Sequence, residues 1–161
     1  MKRIIVCLAT LFVAVSAHAQ FDGAVGTEGC QAISREDSRI KSWAFGIEVQ
    51  RGYEQNSTTN FASYGKPYMA QGLPDGSTTT AIALREGGKA LITFEVPIID
   101  GEGADFCVFE NGFNSTYLEI AFVEVSSDGE HFYRFPATSY TTSSSLAPEL
   151  MNNLAGKYEV G

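Results

Sequence analysis

The chain has 161 residues, of which 44% are hydrophobic and 19% charged, with 16 Gly and 5 Pro. This composition is typical of one globular domain, and it excludes a disordered, collagen-like or disulfide-packed chain. The net charge of −8 at pH 7 would repel phosphate groups, which argues against nucleic acid and anionic lipid as partners.

The first 19 residues have the three parts of a secretory signal peptide. Lys2 and Arg3 supply the positive charge, residues 4–15 form an apolar run, and Ala-His-Ala at 17–19 is a small-residue cleavage site before Gln20. The apolar run is shorter than the roughly 20 residues that span a bilayer. The sequence therefore predicts a signal peptide over residues 1–19 and an exported protein without membrane insertion. Its expected location is the cell surface or extracellular space, with the periplasm as the alternative.

The first half of the mature chain contains a leader, one strand, a long loop and a hairpin. Residues 20–42 have little periodicity and are expected to pack late or stay mobile. Alternation of apolar and polar residues predicts a strand over 45–49. Residues 53–80 are polar without an apolar period, which indicates a long irregular loop. The next apolar runs, separated by a Gly-Gly turn, predict a hairpin over 80–96.

The second half continues with short strands. Residues 105–110 are apolar on both faces, which is typical of a strand in the middle of a sandwich. Residues 117–126 and 131–135 are joined by an Asp-Gly turn and form the clearest hairpin of the chain. Only residues 148–154 resemble a helix.

About six or seven short strands without βαβ alternation predict an all-β fold, namely an antiparallel β-sandwich or jelly roll over residues 43–161. Residues 158–161 resemble the start of another strand. The sandwich is therefore expected to be incomplete at the C-terminus.

Several short motifs follow one another between residues 70 and 158. They are AQGLPDG (70–76), PIIDGEGADF (97–106), VFENGF (108–113), LEIAFVEVSSDG (118–129), FYRFPA (132–137) and NLAGKY (153–158). Together they resemble a family of exported cell-surface proteins of Bacteroidetes-type bacteria, which often carry a C-terminal sorting tail. The resemblance implies a sandwich similar in outline to galactose-binding and discoidin-like domains, with further strands after residue 158. Because some relatives lie in gene neighbourhoods for cobalamin uptake, it also implies corrinoid capture for an outer-membrane transporter as an alternative role.

An acidic, glycine-rich turn is the candidate metal site. Asp100, Glu102 and Asp105 place three carboxylates within six residues, and Glu110 follows closely enough to complete their set. Hard oxygen ligands at this density suit a structural Ca²⁺ ion, although the spacing does not match an EF-hand loop. The alternative is a solvated acidic turn whose glycines supply positive φ angles.

Three glutamates lie within apolar runs of the sequence. Because Glu110, Glu119 and Glu124 have apolar neighbours, at least one is expected to point inward and to need a cationic partner. Arg134 and Lys157 are the candidate partners, besides a metal ion. The alternative is that each glutamate lies on the solvated face of its strand.

No catalytic motif is present in the sequence. His131 is the only histidine that remains after the signal peptide, and no serine or cysteine is placed by a motif as its nucleophile. We therefore expect no enzymatic activity. Cys30 and Cys107 could form one bridge in an oxidising compartment, but Cys107 lies in an apolar run and is expected to be a small buried hydrophobe.

Aromatic side chains among polar residues mark two candidate binding loops. They are Tyr53, Phe61, Tyr64 and Tyr68 in the first loop, and Phe113 and Tyr117 in the second. Such a mixture recognises sugars or other polar organic ligands by stacking and hydrogen bonds, whereas the alternative places these rings in the core. The sequence predicts a non-catalytic surface protein that binds a polar small molecule or glycan. Corrinoid capture and a structural or adhesive role are the alternatives.

Overall fold

The computed structural model describes residues 21–112, 118–141 and 146–158. Within these ranges the protein is all-β, with two short 3-10 helices at Pro67–Ala70 and Pro148–Leu150. The strands are β1 (Gly46–Gln50), β2 (Lys89–Thr93), β3 (Ala121–Phe122), β4 (Glu124–Val125), β5 (Tyr133–Arg134), β6 (Thr138–Ser139), β7 (Met151–Asn152) and β8 (Leu154–Ala155). They pair as four antiparallel two-stranded sheets. No helix of the described part has the length and hydrophobicity needed to cross a membrane.

The longest sheet joins β1 to β2, with Gly46 opposite Thr93 and Gln50 opposite Lys89. The predicted strand at 45–49 is therefore confirmed, whereas the predicted hairpin over 80–96 is wrong because β2 pairs with β1. The physical reason lies in the residues before β2. Their carbonyls accept hydrogen bonds from the end of β1 instead, as in the 2.8 Å bond from Gly52 N to Leu84 O.

The hairpin predicted around the Asp-Gly turn is present as β4 and β5. The Asp128 carboxylate accepts hydrogen bonds from the main-chain N–H groups of Glu130 and His131 at 2.9 and 2.8 Å. Gly129 has a φ of +76°, which a glycine adopts without steric cost. Local residues therefore determine this turn.

On either side of the hairpin lie β3 and β6, and residues 151–155 pair with both of these strands. β7 pairs with β6, and β8 pairs with β3. Asn153 lies between β7 and β8 with a φ of +54°, and its side-chain amide donates to Pro136 O at 2.8 Å. The predicted helix over 148–154 is therefore limited to one 3-10 turn, because the following residues complete two sheets.

The described residues have a thin hydrophobic core, formed by Ala62, Leu118 and Met151. The prediction that residues 105–110 form a central strand is wrong, since no strand forms there. Val108 is 51% exposed and Phe122 60% exposed, so neither side chain is buried. A two-stranded sheet leaves much of its apolar face uncovered unless another layer packs on it.

The leader is attached to the rest of the domain at several points, which disagrees with one of its two expected behaviours, that it stays mobile. Phe21 N donates to Glu149 O at 3.0 Å, and the Phe21 ring stacks on Tyr140. Further along, an Arg35 Nη atom donates to Pro74 O at 2.9 Å. The segment that follows the predicted cleavage site is thus part of the fold.

Candidate functional site

The guanidinium of Arg51 organises the long loop that follows β1. Its Nη atoms donate to three carbonyl oxygens, those of Tyr64 at 2.7 Å, Ala83 at 2.5 Å and Gly65 at 2.7 Å. Gly65 has a φ of +71°, and a Cβ atom there would lie 1.9 Å from Ala81 O. Only glycine fits at this position, and one cation holds both arms of the loop against the end of β1.

An exposed aromatic pair lies beside this network. The rings of Tyr53 and Phe61 stack with their centroids 4.5 Å apart, and the two residues also form an isolated β-bridge. Tyr53 is 41% exposed and Phe61 56% exposed. The pair therefore presents one aromatic surface to solvent.

Two further tyrosines of the same loop are also exposed. Tyr64 donates its hydroxyl to Thr79 O at 2.9 Å, which fixes the ring, and it is 51% exposed. Tyr68 lies on the first 3-10 helix and is 62% exposed. This helix is tied to the start of β1 by a 3.1 Å hydrogen bond from Gly72 N to Ala44 O.

The structure therefore brings three of the five predicted ligand-binding residues onto one ordered loop. The alternative that Tyr53, Tyr64 and Tyr68 belong to the core is wrong, because all three are exposed. Phe113 and Tyr117 lie outside the described residues.

The acidic turn has the geometry of a solvated turn. Asp100, Glu102 and Asp105 are all exposed, and the Asp105 carboxylate accepts a 2.9 Å hydrogen bond from Gly101 N. In the part of the chain that the structure describes, no three Asp, Glu, His or Cys side chains are gathered so that they could hold a metal ion. As placed, these carboxylates do not form a ligand set, and calcium binding here stays a prediction.

Glu110 is the inward-pointing carboxylate that the sequence led us to expect. Its Oε2 atom is buried and has no hydrogen-bond partner among the described residues. Burial, with the nearby charge of Glu119 adding to it, raises the pKa of Glu110 to about 7. Neither predicted cation neutralises it, since Arg134 pairs with Glu124 at 2.8 Å and Lys157 binds elsewhere.

Replacing Glu110 with Gln is expected to stabilise the protein at pH 8 and to have less effect at pH 5. The ordinary pKa of 4.5 is raised to about 7 on folding, so ionisation of this carboxyl reduces stability as the pH rises between these values. After allowance for partial solvent exposure, the expected gain at pH 8 is about 1 to 2 kcal/mol. Urea unfolding at both pH values measures it.

The exposed Glu102 provides the matched control. Glu102→Gln should leave the free energy of unfolding nearly unchanged at both pH values, because surface substitutions away from specific contacts have small effects. An equal gain from Glu110→Gln at pH 5 and pH 8 would contradict ionisation as the cause.

A buried ion pair that sequence reasoning missed joins the leader to the C-terminal strands. Lys157 Nζ lies 2.6 Å from Asp22 Oδ1, and the two side chains are only 5% and 12% exposed. The hydroxyl of Tyr158 and the N–H of Gln31 donate to the other Asp22 oxygen. The partners are 135 residues apart, and nothing in the local sequence of either indicates the other.

The hydrogen bonds of this cluster determine its protonation state. Burial alone would raise the pKa of Asp22, but the hydrogen bonds from Lys157 and Tyr158 outweigh burial and the pKa lies below its ordinary value. Burial, together with the Asp22 carboxylate, raises the pKa of Tyr158. The cluster is therefore an ionised carboxylate between a cation and a neutral phenol near neutral pH.

The two cysteines of the described chain are free thiols. Cys107 is exposed, so the prediction that it is a small buried hydrophobe is wrong. Cys107 lies in residues 105–110, where no strand forms. The pKa of the Cys107 thiol is raised, mainly because the group is partly buried and secondly because the negative charge of Asp37 acts on it.

A small apolar cleft lies where the strands of the β4–β5 hairpin separate. Its volume is about 250 Å³, and Ile120, Phe122, Ala137 and Leu154 supply most of its wall. The Arg134 guanidinium lies 4.3 Å from the centre of the Phe122 ring. The lining residues carry no titratable group that could take part in catalysis.

Comparisons of the chain with protein-family models, curated proteins and solved structures find no match. A functional proposal therefore depends on the geometry and chemistry of the chain's own residues.

Proposed function

We propose that the chain is an exported, non-catalytic surface protein that recognises a polar, glycan-like ligand through Tyr53, Tyr64 and Tyr68. One observation carries this proposal: the three rings are 41%, 51% and 62% exposed, while hydrogen bonds to Arg51 hold the loop that bears them. A loop that is already ordered loses little conformational entropy on binding. Exposed tyrosine rings stack on sugar faces, and their hydroxyl groups hydrogen-bond to polar substituents.

The charge of the chain narrows the ligand class. A net charge of −8 disfavours anionic ligands such as uronic acid polymers, so a neutral or cationic glycan is the better match. The polar side chains of residues 53–80, mainly Ser, Thr, Asn and Gln, provide hydrogen-bonding groups near the rings.

The tyrosine loop needs a fold that supports it. We propose that this fold is an antiparallel β-sandwich similar in outline to galactose-binding domains, preceded by a signal peptide over residues 1–19. The all-β architecture supports it, because loops at the edge of a rigid β scaffold are common positions for binding residues.

Replacing Tyr64 or Tyr68 with Ala is expected to weaken glycan binding by about tenfold or more, because each change removes a stacking platform. The unfolding temperature should stay nearly constant for Tyr68→Ala, and Tyr64→Ala should lower it only by the loss of one exposed hydrogen bond to Thr79 O. Retardation in native gels that contain neutral soluble polysaccharides identifies a ligand, and calorimetry with that polysaccharide measures the loss.

Tyr133 supplies the control for these variants. It is 74% exposed on β5, outside the loop, so Tyr133→Ala should bind as the unmodified chain does. The tyrosine loop is not the binding site if no neutral polysaccharide retards the chain. The same conclusion holds if Tyr64→Ala and Tyr68→Ala bind as well as Tyr133→Ala.

A further inference from the structure

Residues 94–112, which follow β2, form an exposed segment apart from the tyrosine loop. This segment contains no strand, and its main chain makes no hydrogen bond to another described main-chain group. Its sequence nevertheless carries the apolar runs that predicted strands at 90–96 and 105–110. The N–H groups of Gly101 and Gly112 donate to the side chains of Asp105 and Glu110. The rest of the segment offers main-chain N–H and C=O groups, which are the groups that a β-strand partner uses.

Apolar side chains of this segment face solvent together with its main chain. Val96 is 57% exposed, Ile98 46%, Ile99 78% and Val108 51%. Single exposed apolar residues are common, and several within one segment that forms no strand make it a candidate interaction surface. Such a surface loses its contact with water when a partner strand covers it.

Two aromatic contacts hold the second half of the segment in place. The Phe106 ring lies 5.8 Å from the ring of Phe135, and the Phe109 ring lies 5.7 Å from that of Trp43. Between these contacts, Cys107 and Val108 are exposed. A partner would therefore meet a short stretch of main chain that is attached at both ends.

The charge of the segment determines which partner suits it. It contains no Lys, Arg or His, and its acidic residues are Glu95, Asp100, Glu102, Asp105 and Glu110. No ion pair joins any of these carboxylates to another described residue. A second copy of the chain would place like charges opposite each other, whereas Lys or Arg side chains of a partner would neutralise them.

We propose that residues 94–112 accept an extended peptide in which apolar residues alternate with Lys or Arg. The peptide pairs with the free main chain, covers Val108 and Ile99 with its apolar side chains, and places its cations beside the carboxylates. This interaction is independent of the tyrosine loop, because it uses other residues and another ligand class.

The test uses a fluorescently labelled peptide of four Lys-Val repeats and measures its anisotropy as the chain is added. Two control peptides are matched in length. One has Glu in place of Lys, and the other keeps the lysines but has prolines at two valine positions, which prevents strand pairing. The proposal expects binding of the first peptide and at least about tenfold weaker binding of both controls.

Variants of the chain locate the binding surface. Val108→Lys and Ile99→Lys should each weaken binding by about tenfold, because each places a cation beside the peptide's lysines. Leu73→Lys is the control, since Leu73 is 58% exposed but lies outside the segment. Because all three side chains are exposed, folding should be retained.

Several results would overturn the proposal. Equal binding of the proline-containing peptide would show charge attraction without strand pairing, and equal binding to Val108→Lys would place the site elsewhere. Sedimentation velocity adds a further outcome: a dimer of the chain that Val108→Lys abolishes would assign the surface to a second copy.

Discussion

Replacing Asp22 with Ala is expected to lower the free energy of unfolding by about 3 to 5 kcal/mol, because it leaves a buried ammonium without a counter-charge. Lys157 is only 4% exposed, and Asp22 is its ion-pair partner at 2.6 Å. The Tyr158 hydroxyl loses its acceptor in the same variant. Urea unfolding measures the loss, and limited proteolysis should show early cleavage within residues 23–42.

The exposed pair of Asp37 and Arg39 provides a matched control. Its N–O distance is 2.8 Å, but the Arg39 side chain is 73% exposed. Asp37→Ala should therefore leave the free energy of unfolding nearly unchanged. If Asp22→Ala and Asp37→Ala unfold alike, the buried pair does not hold the leader.

The pH dependence of the Asp22 cluster follows from the direction of its pKa. The pKa of Asp22 lies below the ordinary value of 3.8, so its contribution to stability is present above that value and is lost as the pH falls through the folded pKa. The difference between the unmodified chain and Asp22→Ala should therefore shrink in acid.

Replacing Arg51 with Met is expected to lower the free energy of unfolding by about 3 kcal/mol and to abolish glycan binding. Three carbonyl oxygens, those of Tyr64, Gly65 and Ala83, lose their charged donor at once. The loop that carries the tyrosines then loses the cation that joins its arms. Thermal unfolding measures the stability, and proteolysis within residues 53–80 reports on the loop.

Arg51→Lys separates charge from geometry. A lysine keeps the positive charge, but a single ammonium does not reproduce the planar fork that reaches three carbonyls. We expect more than half of the destabilisation to remain. Arg39→Met controls for loss of an exposed arginine and should be nearly neutral. Full stability of Arg51→Lys would show that the fork geometry is unimportant.

The two proposed binding surfaces differ in how directly the sequence indicates them. The tyrosine loop was predicted from the sequence because aromatic residues lie among polar ones there, and the structure adds that Arg51 holds it. The surface at 94–112 became visible only with the structure, because the same apolar runs predicted paired strands. A strand-like sequence shows where pairing is favourable, but not whether a partner is present.

Two patterns with short sequence separation predicted the structure correctly, whereas the local patterns at 80–96, 105–110 and 148–154 did not. The alternation before Gln50 gives β1, and the turn at Asp128 and Gly129 gives the β4–β5 hairpin. In each case the residues that determine the conformation lie within a few positions of one another. Local steric preference and hydrogen bonding are sufficient there.

The tertiary structure alone decided which distant segments meet. The pairing of β2 with β1, the insertion of residues 151–155 between two strands, and the ion pair of Asp22 with Lys157 join residues far apart in the chain. Several arrangements of short strands satisfy the same apolar alternation, so it does not specify the partner of each strand. The all-β class and the loop that carries the tyrosines could be inferred from composition and local pattern, whereas the exposure of the rings was decided by the tertiary structure. The long-range contacts depend on which arrangement best satisfies the buried charges and main-chain groups of the whole chain.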